Sequence, residues 1–239
     1  MIPPAMTAPA LFIVGTDTGV GKTVVTAALA RASGGAGVMK PIACGLEPGE
    51  TISADTRFLI SASGSKDAPP EVSPLALRAF RAPLPAARVE GVVIDLEALR
   101  KAMEHLRTRH RALLVEGVGG VRVPVTPGVE MADLVKSWGF PALIVARSGL
   151  GTLNHTALTA DALKARGVTI LGFLLNDGAS SVEDGLALEN AALIREMTGL
   201  ACLGRLRPDP EVARGHLSSA TVEALRPAAD RWLARKAVA

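Results

Sequence analysis

The sequence contains no tyrosine, and phenylalanine and tryptophan bring the aromatic share to only 3%. A core must therefore rest on Ala, Val, Leu and Ile, residues that suit a parallel sheet covered by helices. Few aromatic faces remain for stacking bases. Cysteine is almost as scarce: Cys44 and Cys202 are too few for a disulfide framework, and nothing in their spacing forces a pair. Charge of one sign is also missing, because the net formal charge is +3 and the basic residues form no run, so no nucleic-acid partner is expected. No apolar stretch approaches the ~20 residues that cross a bilayer, so no membrane partner is expected either. Residues 1–9 lack the charged start and apolar run of a signal peptide and read as a flexible tail, with Met6 a second candidate start. A cytoplasmic protein with one catalytic domain over 10–239 is expected.

What is present is globular in kind, with 49% hydrophobic and 21% charged residues in 239 positions. Apolar runs of strand length recur at Leu11–Val14, Gly37–Ile42, Ala112–Val115, Ala142–Ala146, Thr169–Leu175 and Cys202–Leu206. Most lack alternation, as strands buried on both faces do. Helical segments separate them. Lys22–Ala32 stops at Gly34 and Gly35, and a run from Leu96 follows Asp95, a good N-cap. Asn154–Arg166 stops at Gly167 and Val182–Thr198 at Gly199, while Thr221–Lys236 reads as a surface helix. Gly64–Arg88, rich in Pro, Ala and Ser without a clean period, reads as an irregular excursion. The order predicts an α/β single-domain fold with a central, mostly parallel sheet flanked by helices on both faces.

The segment from Leu11 runs LFIVGTDTGVGKTVVTAALA: a strand, a glycine-rich loop, then Lys22, Thr23 and a helix. The strict phosphate-loop pattern wants a glycine at Thr16, and Gly15 stands one residue early. The physics survives that shift. Gly19 and Gly21 permit positive φ and close backbone approach to phosphates, and the helix start adds its positive end. Lys22 is then the phosphate lysine and Thr23 a hydroxyl ligand for Mg²⁺. The residue types also suggest carboxylates for that ion. Glu116 ends a strand before Gly117, Val118, Gly119 and Gly120, and Asp55 precedes a helical run, where it would also serve as a cap. Asp17 lies in the loop as a turn residue. Lys40, before Pro41, leaves the second strand at the same edge, with stabilisation of a transferring phosphoryl group and a snorkelling surface position as the two readings.

Five segments together resemble the dethiobiotin synthetase family. They are Gly-Thr-Asp-Thr-Gly-Val-Gly-Lys-Thr at 15–23, Lys-Pro-Ile-Ala-Cys-Gly at 40–45, Val-Glu-Gly-Val-Gly-Gly at 115–120, Gly-Leu-Gly-Thr-Leu-Asn-His-Thr at 149–156, and Asn176-Asp177. They stand in the family's order between about Leu11 and Leu206. The resemblance implies a homodimeric ligase of biotin biosynthesis that takes 7,8-diaminononanoate, CO2 and ATP with Mg²⁺ through a carbamic–phosphoric anhydride. It implies that Thr16, Lys22 and Lys40 surround the carbamate and γ-phosphate, and that Thr23, Asp55 and Glu116 hold the metal. It implies nucleotide contacts from Gly19, Val20, Gly21, Lys22, Thr23 and Val24, from Asp55 and Glu116 to Gly119, and from Asn176 and Asp177, with Asn176 on the adenine edge. Thr16, Lys40, Cys44 and the turn Gly151, Thr152, Leu153 and Asn154 would meet the diamine substrate, the turn from across the dimer. The chain departs from the family at Cys44, where serine is usual, at Gly19, where glutamate is common, and at Pro85-Ala86-Ala87, a shortened stretch after Phe80-x-x-Pro83. The match around Arg207–Asp209 is poor.

Three other functions compete with this reading. A switch ATPase of the partitioning type carries a lysine where Asp17 stands. An amidotransferase-type ligase needs a glutaminase domain for which no chain remains. A binding module without turnover would not need Lys22, Thr23, Asp55 and Glu116 together.

Overall fold

The computed structural model describes residues 8–179 and 181–235. Most of the expected tail, with Met6, lies outside them. Ala8 and Pro9 do not, and both are tied in: the Ala8 carbonyl accepts from Arg107 Nε at 2.8 Å and the Pro9 carbonyl from the Leu113 amide at 3.0 Å.

The chain begins with β1 (Ala10–Gly15), α1 (Lys22–Ala32), β2 (Gly37–Met39), β3 (Ile42–Cys44) and α2 (Ala54–Ser63). Then come α3 (Pro69–Val72), β4 (Leu75–Leu77), α4 (Pro83–Glu90), α5 (Leu96–Arg109) and β5 (Leu113–Gly120). A small hairpin of β6 (Pro124–Thr126) and β7 (Val129–Glu130) leads to α6 (Met131–Trp138), β8 (Ala142–Arg147), α7 (Thr152–Ala165) and β9 (Ile170–Asn176). The chain closes with α8 (Asp184–Thr198), β10 (Cys202–Leu206), a 3-10 turn (Pro210–Arg214), α9 (Ser219–Ala224) and α10 (Arg226–Leu233). Six strands form one parallel sheet in the order β10-β9-β8-β1-β5-β2.

The unalternating strands serve two cores, because successive side chains leave a strand on opposite faces. Phe12 and Val14 join one buried cluster with Leu113, Val115, Ile144 and Phe173, which α4 to α8 cover. Leu11 and Ile13 join the other with Leu114, Leu143, Val145 and Leu174, under α1, α2, α9 and α10. Scarce aromatics are concentrated rather than spread: Phe12, Trp138 and Phe140 stack in a row.

Four expectations need correction. Glu116 does not end its strand: β5 continues to Gly120, because Ile13 pairs with Glu116 and Gly15 with Gly120. The second strand does not run to Ile42. It stops at Met39, and Ile42–Cys44 pairs instead with Leu75–Leu77 in a separate parallel sheet. Pro41 has no N–H to carry the ladder, and the Lys40 amide turns to the Val72 carbonyl at 2.7 Å. Gly64–Arg88 is not irregular, since it holds α3, β4 and the start of α4. Its helices are too short to show a period, and their prolines sit where helices begin, at Pro69 and Pro83. The final surface helix is two helices. The second buries Ala228, Ala229 and Trp232, with Leu225 and Pro227 at the break, and Lys236 lies outside the described residues. The helix α6 and the hairpin before it had no expectation at all. No helix among the described residues is long and apolar enough to cross a membrane.

Candidate active site

The carboxyl ends of β1, β2 and β5 lie side by side in the sheet order, and their loops meet above one edge. The loop after β1 wraps over Gly15, where a side chain would meet Lys22 Nζ, Val20 and the Asp17 carbonyl. Gly19 and Gly21 take φ of 71° and 91°, as expected, and Gly21 opens α1 in the left-handed region. A side chain at Gly21 would also collide with the Asn176 amide. Asp17 is a turn residue, accepting the Thr18 amide at 2.7 Å, and it meets Arg147 at 3.3 Å.

Lys22 is 7% exposed and donates to the Asp17 carbonyl at 3.0 Å. Burial strips water from its ammonium and brings its pKa down to about 8, against the pull of Glu116. Lys40 is 3% exposed, which removes the snorkelling reading. Its Nζ lies 2.7 Å from Glu116 Oε1 and 2.6 Å from Asp55 Oδ2. Burial alone would lower its pKa, but Glu116 first and Asp55 second raise it above the usual lysine range. The Thr23 hydroxyl donates to the same Glu116 Oε1 at 2.8 Å, while Glu116 Oε2 is buried without a partner. Asp55 does not cap its helix. Ser53 does, accepting the Thr56 amide at 3.1 Å, and this leaves the Asp55 carboxylate free to reach Lys40.

These groups line a cleft of about 1080 Å³. Of the residues expected at a site, Gly19, Gly21, Lys22, Thr23, Val24, Lys40, Cys44, Asp55, Glu116, Val118 and Gly119 line it. Thr16, Val20 and Gly117 lie in the strand–loop framework behind it, with the Thr16 amide on the Val145 carbonyl at 3.0 Å. Asn176 is also off the lining. Its amide donates to the Val20 carbonyl at 2.9 Å, so it braces the loop from behind. Asp177 is bound to Arg205 at 2.7 Å, and that partner outweighs burial to hold its carboxyl below the usual range. Gly151, Thr152, Leu153 and Asn154, at the start of α7, are not among the residues that line the cleft, and Gly151 takes φ 85°. Burial pushes the Cys44 thiol up to about 11, so it stays protonated. Pro85, Ala86 and Ala87 belong to α4, two of them in the core, so the cleft wall there is Phe80, Arg81 and Ala82 instead.

Sequence reasoning also missed Thr18, then Ala54, Arg57, Phe58 and Ser61 on α2, Val123, and Val212 to Gly215 in the lining. Apart from Thr18, none carries a motif. The one available signal was the helical spacing of Phe58, one turn beyond Asp55, and of Ser61, one turn beyond Phe58.

A family model described as an AAA domain matches residues 9–215. The ATP-dependent dethiobiotin synthetase BioD of Anaeromyxobacter dehalogenans is 43% identical over 208 residues, covering 85% of this chain and 92% of the relative. That of Xanthomonas oryzae pv. oryzae is 38% identical over 216 residues, covering 87% and 96%. The chain belongs to the dethiobiotin synthetase family. The segments that line the cleft fall inside the matched span. Among solved structures, the cell division ATPase MinD of Pyrococcus furiosus superposes with a TM-score of 0.58 at 20% identity, covering 94% of this chain and 98% of that one. A ParA family ATPase from Chlorobium tepidum gives 0.52 at 14%, covering 97% of each. At such identities these likenesses establish the P-loop fold alone.

Proposed function

We propose that the protein is an ATP-dependent dethiobiotin synthetase that joins 7,8-diaminononanoate and CO2 into the ureido ring of dethiobiotin. The observation that carries this reading is the meeting of Lys22 and Lys40, two buried ammonium groups from different loops, with Glu116 and Asp55 in one cleft. The reaction asks for that arrangement. One amine of the diamine adds to CO2, and a carbamate oxygen then attacks the γ-phosphorus while the bond to ADP breaks. The second amine attacks the carbamoyl carbon, closing the ring and releasing phosphate. Each step moves negative charge among oxygens, so fixed cations and exact positioning do most of the work.

Lys22 is assigned to the β- and γ-phosphates, and Lys40 with Thr16 to the carbamate and the transferring group. Gly19 to Val24 supply backbone and side-chain contacts to the phosphates. Gly117 to Gly119 let the backbone pass close to the nucleotide. Asn176 and Asp177 are assigned to the base, Asn176 through adjustment of the amide that now meets Val20. Cys44 is assigned to the diamine. A divalent cation fits the donor set: Thr23, Asp55 and Glu116 offer hard oxygens, and Glu116 Oε2 is a buried acceptor lacking a partner. Those three residues would hold Mg²⁺, whose charge neutralises phosphate oxygens when bound.

A homodimer is part of the reading. The turn Gly151–Asn154 does not line its own cleft and is flanked by Leu150 and Leu158, 89% and 60% exposed, apolar surface that a second copy would cover. There the amides at the start of α7 would receive the substrate's carboxylate. A cytoplasmic location and one catalytic domain over 10–239 complete the reading. A partitioning switch is less well supported, since Asp17 occupies the place of its extra lysine.

Phosphate release with Mg-ATP and bicarbonate, with and without the diamine, tests the function when product mass is read alongside. Diamine-dependent release with dethiobiotin is expected. Hydrolysis indifferent to the diamine, with no such product, would refute the synthetase.

A further inference from the structure

The acceptors assigned to the metal are already in use. Lys40 Nζ sits between Glu116 Oε1 and Asp55 Oδ2 at 2.7 and 2.6 Å, with its side chain 4% exposed. Glu116 Oε1 takes the Thr23 hydroxyl as well, while Oε2 is left bare. A cation entering between the two carboxylates therefore meets an ammonium group in its path.

We propose that Lys40 is an internal counter-ion that occupies the metal carboxylates in the metal-free protein and releases them only when the divalent cation arrives with its nucleotide. The inference rests on the function proposed above, in which Thr23, Asp55 and Glu116 take that cation.

Charge balance supplies the argument. Lys22 and Lys40 offset Glu116 and Asp55, so the closed cluster is neutral. A bare divalent ion would add two positive charges beside the buried Glu116 and displace the buried Lys40 ammonium, with only the half-exposed Asp55 left to hold it, a costly change on the buried side of the pair. A nucleotide triphosphate brings its own negative charge. The Lys40 ammonium then exchanges a carboxylate for an anionic oxygen of the phosphate or carbamate. Its four-carbon stem can swing while its backbone amide stays on Val72. The exchange couples arrival of the cation to delivery of Lys40 to the reacting end, and makes Lys40 a positioning residue for the metal as well as a contact for the substrate.

The test is Mn²⁺ binding to the full chain, read by electron paramagnetic resonance of the free ion, with and without a non-hydrolysable ATP analogue. Wild type should bind Mn²⁺ weakly alone and much more tightly with the analogue. Lys40→Met and Lys40→Gln should tighten binding of Mn²⁺ alone by about tenfold or more and narrow the gap between the two conditions, since the competing charge is gone. Equal affinity for Mn²⁺ alone in folded Lys40→Met and wild type would overturn the exchange. If neither variant folds, ammonium-detected nuclear magnetic resonance of wild-type Lys40 decides. The Nζ signal should hold with Mg²⁺ alone and shift when the analogue is added, and a signal unmoved by both overturns the proposal. Loss of Mn²⁺ binding even with the analogue would sink the metal assignment and the exchange together. Dethiobiotin formation by the same wild-type preparation separates that failure from failure of the proposed function.

Discussion

The two ends of the cleft are built differently. At the phosphate end, Lys22, Lys40 and Glu116 are at most 7% exposed, and each is fixed by a hydrogen bond or ion pair within 3.0 Å. Glu116 lies within β5, Lys40 directly follows β2 and Lys22 opens α1, so packed elements leave their backbones little freedom. At the open rim, Phe80 is 72% exposed, and the side chains of Arg57 and Arg214 are 56% and 73% exposed. These belong to segments outside the central sheet, and their ion pairs, with Glu50 and Glu211, lie in water and hold little. Packed elements arrange charge at the first end before a ligand arrives, whereas the rim side chains stand in solvent. Catalytic loss should therefore concentrate at the first end and binding loss at the second.

The largest effect should come from Lys22→Ala, with turnover down at least about a thousandfold and an unchanged circular dichroism spectrum. Wild-type kinetics in that variant would erase the distinction between the two ends. Lys40→Ala should lower kcat by about a hundredfold, and by more than it weakens ATP affinity, as befits an interaction made chiefly in the transition state. Equal losses in steady-state kinetics and in nucleotide titration would make Lys40 a simple binding group. At the rim, Phe80→Ala should raise KM for the diamine about fivefold with kcat nearly constant, because the ring covers the backbone at Gly45 and walls the cleft. A kcat loss as large as that of Lys40→Ala would mean the rim is as preorganised as the phosphate end. The smallest change is expected for Cys44→Ser, within about twofold of wild type in both parameters. The wild-type thiol should also alkylate slowly at pH 8, since a pKa of about 11 leaves only about one thiolate in a thousand. Rapid alkylation, or a large loss in the serine variant, would give this thiol a role of its own.

The same contrast divides what could be read early from what could not. The phosphate loop was legible because its demands are local: positive φ at Gly19 and Gly21, and a lysine and a threonine at the start of a helix. The parallel sheet was legible in its unalternating runs. The hairpin before α6, and α3 and α4, escaped because elements of two to eight residues show no period. The chain's end was misread because Trp232 is a single large residue on a helix broken near Pro227, and its burial at 1% comes from neighbours distant in sequence. Asp55 had two readings that only the neighbour Ser53 and the distant Lys40 could separate, by taking the cap and the carboxylate respectively.

By itself, the sequence determined the alternation of strands and helices, the loop that cradles phosphate, and the family to which the chain belongs. All of these rest on bonds and conformations within a few residues, or on motifs kept in order. Tertiary structure decided that Lys40 is buried between Glu116 and Asp55, 76 and 15 residues away. It also decided that Asn176 braces the phosphate loop and that Phe80 walls the cleft. Those outcomes depend on which strand ends become neighbours in the sheet, and a local pattern carries no record of that.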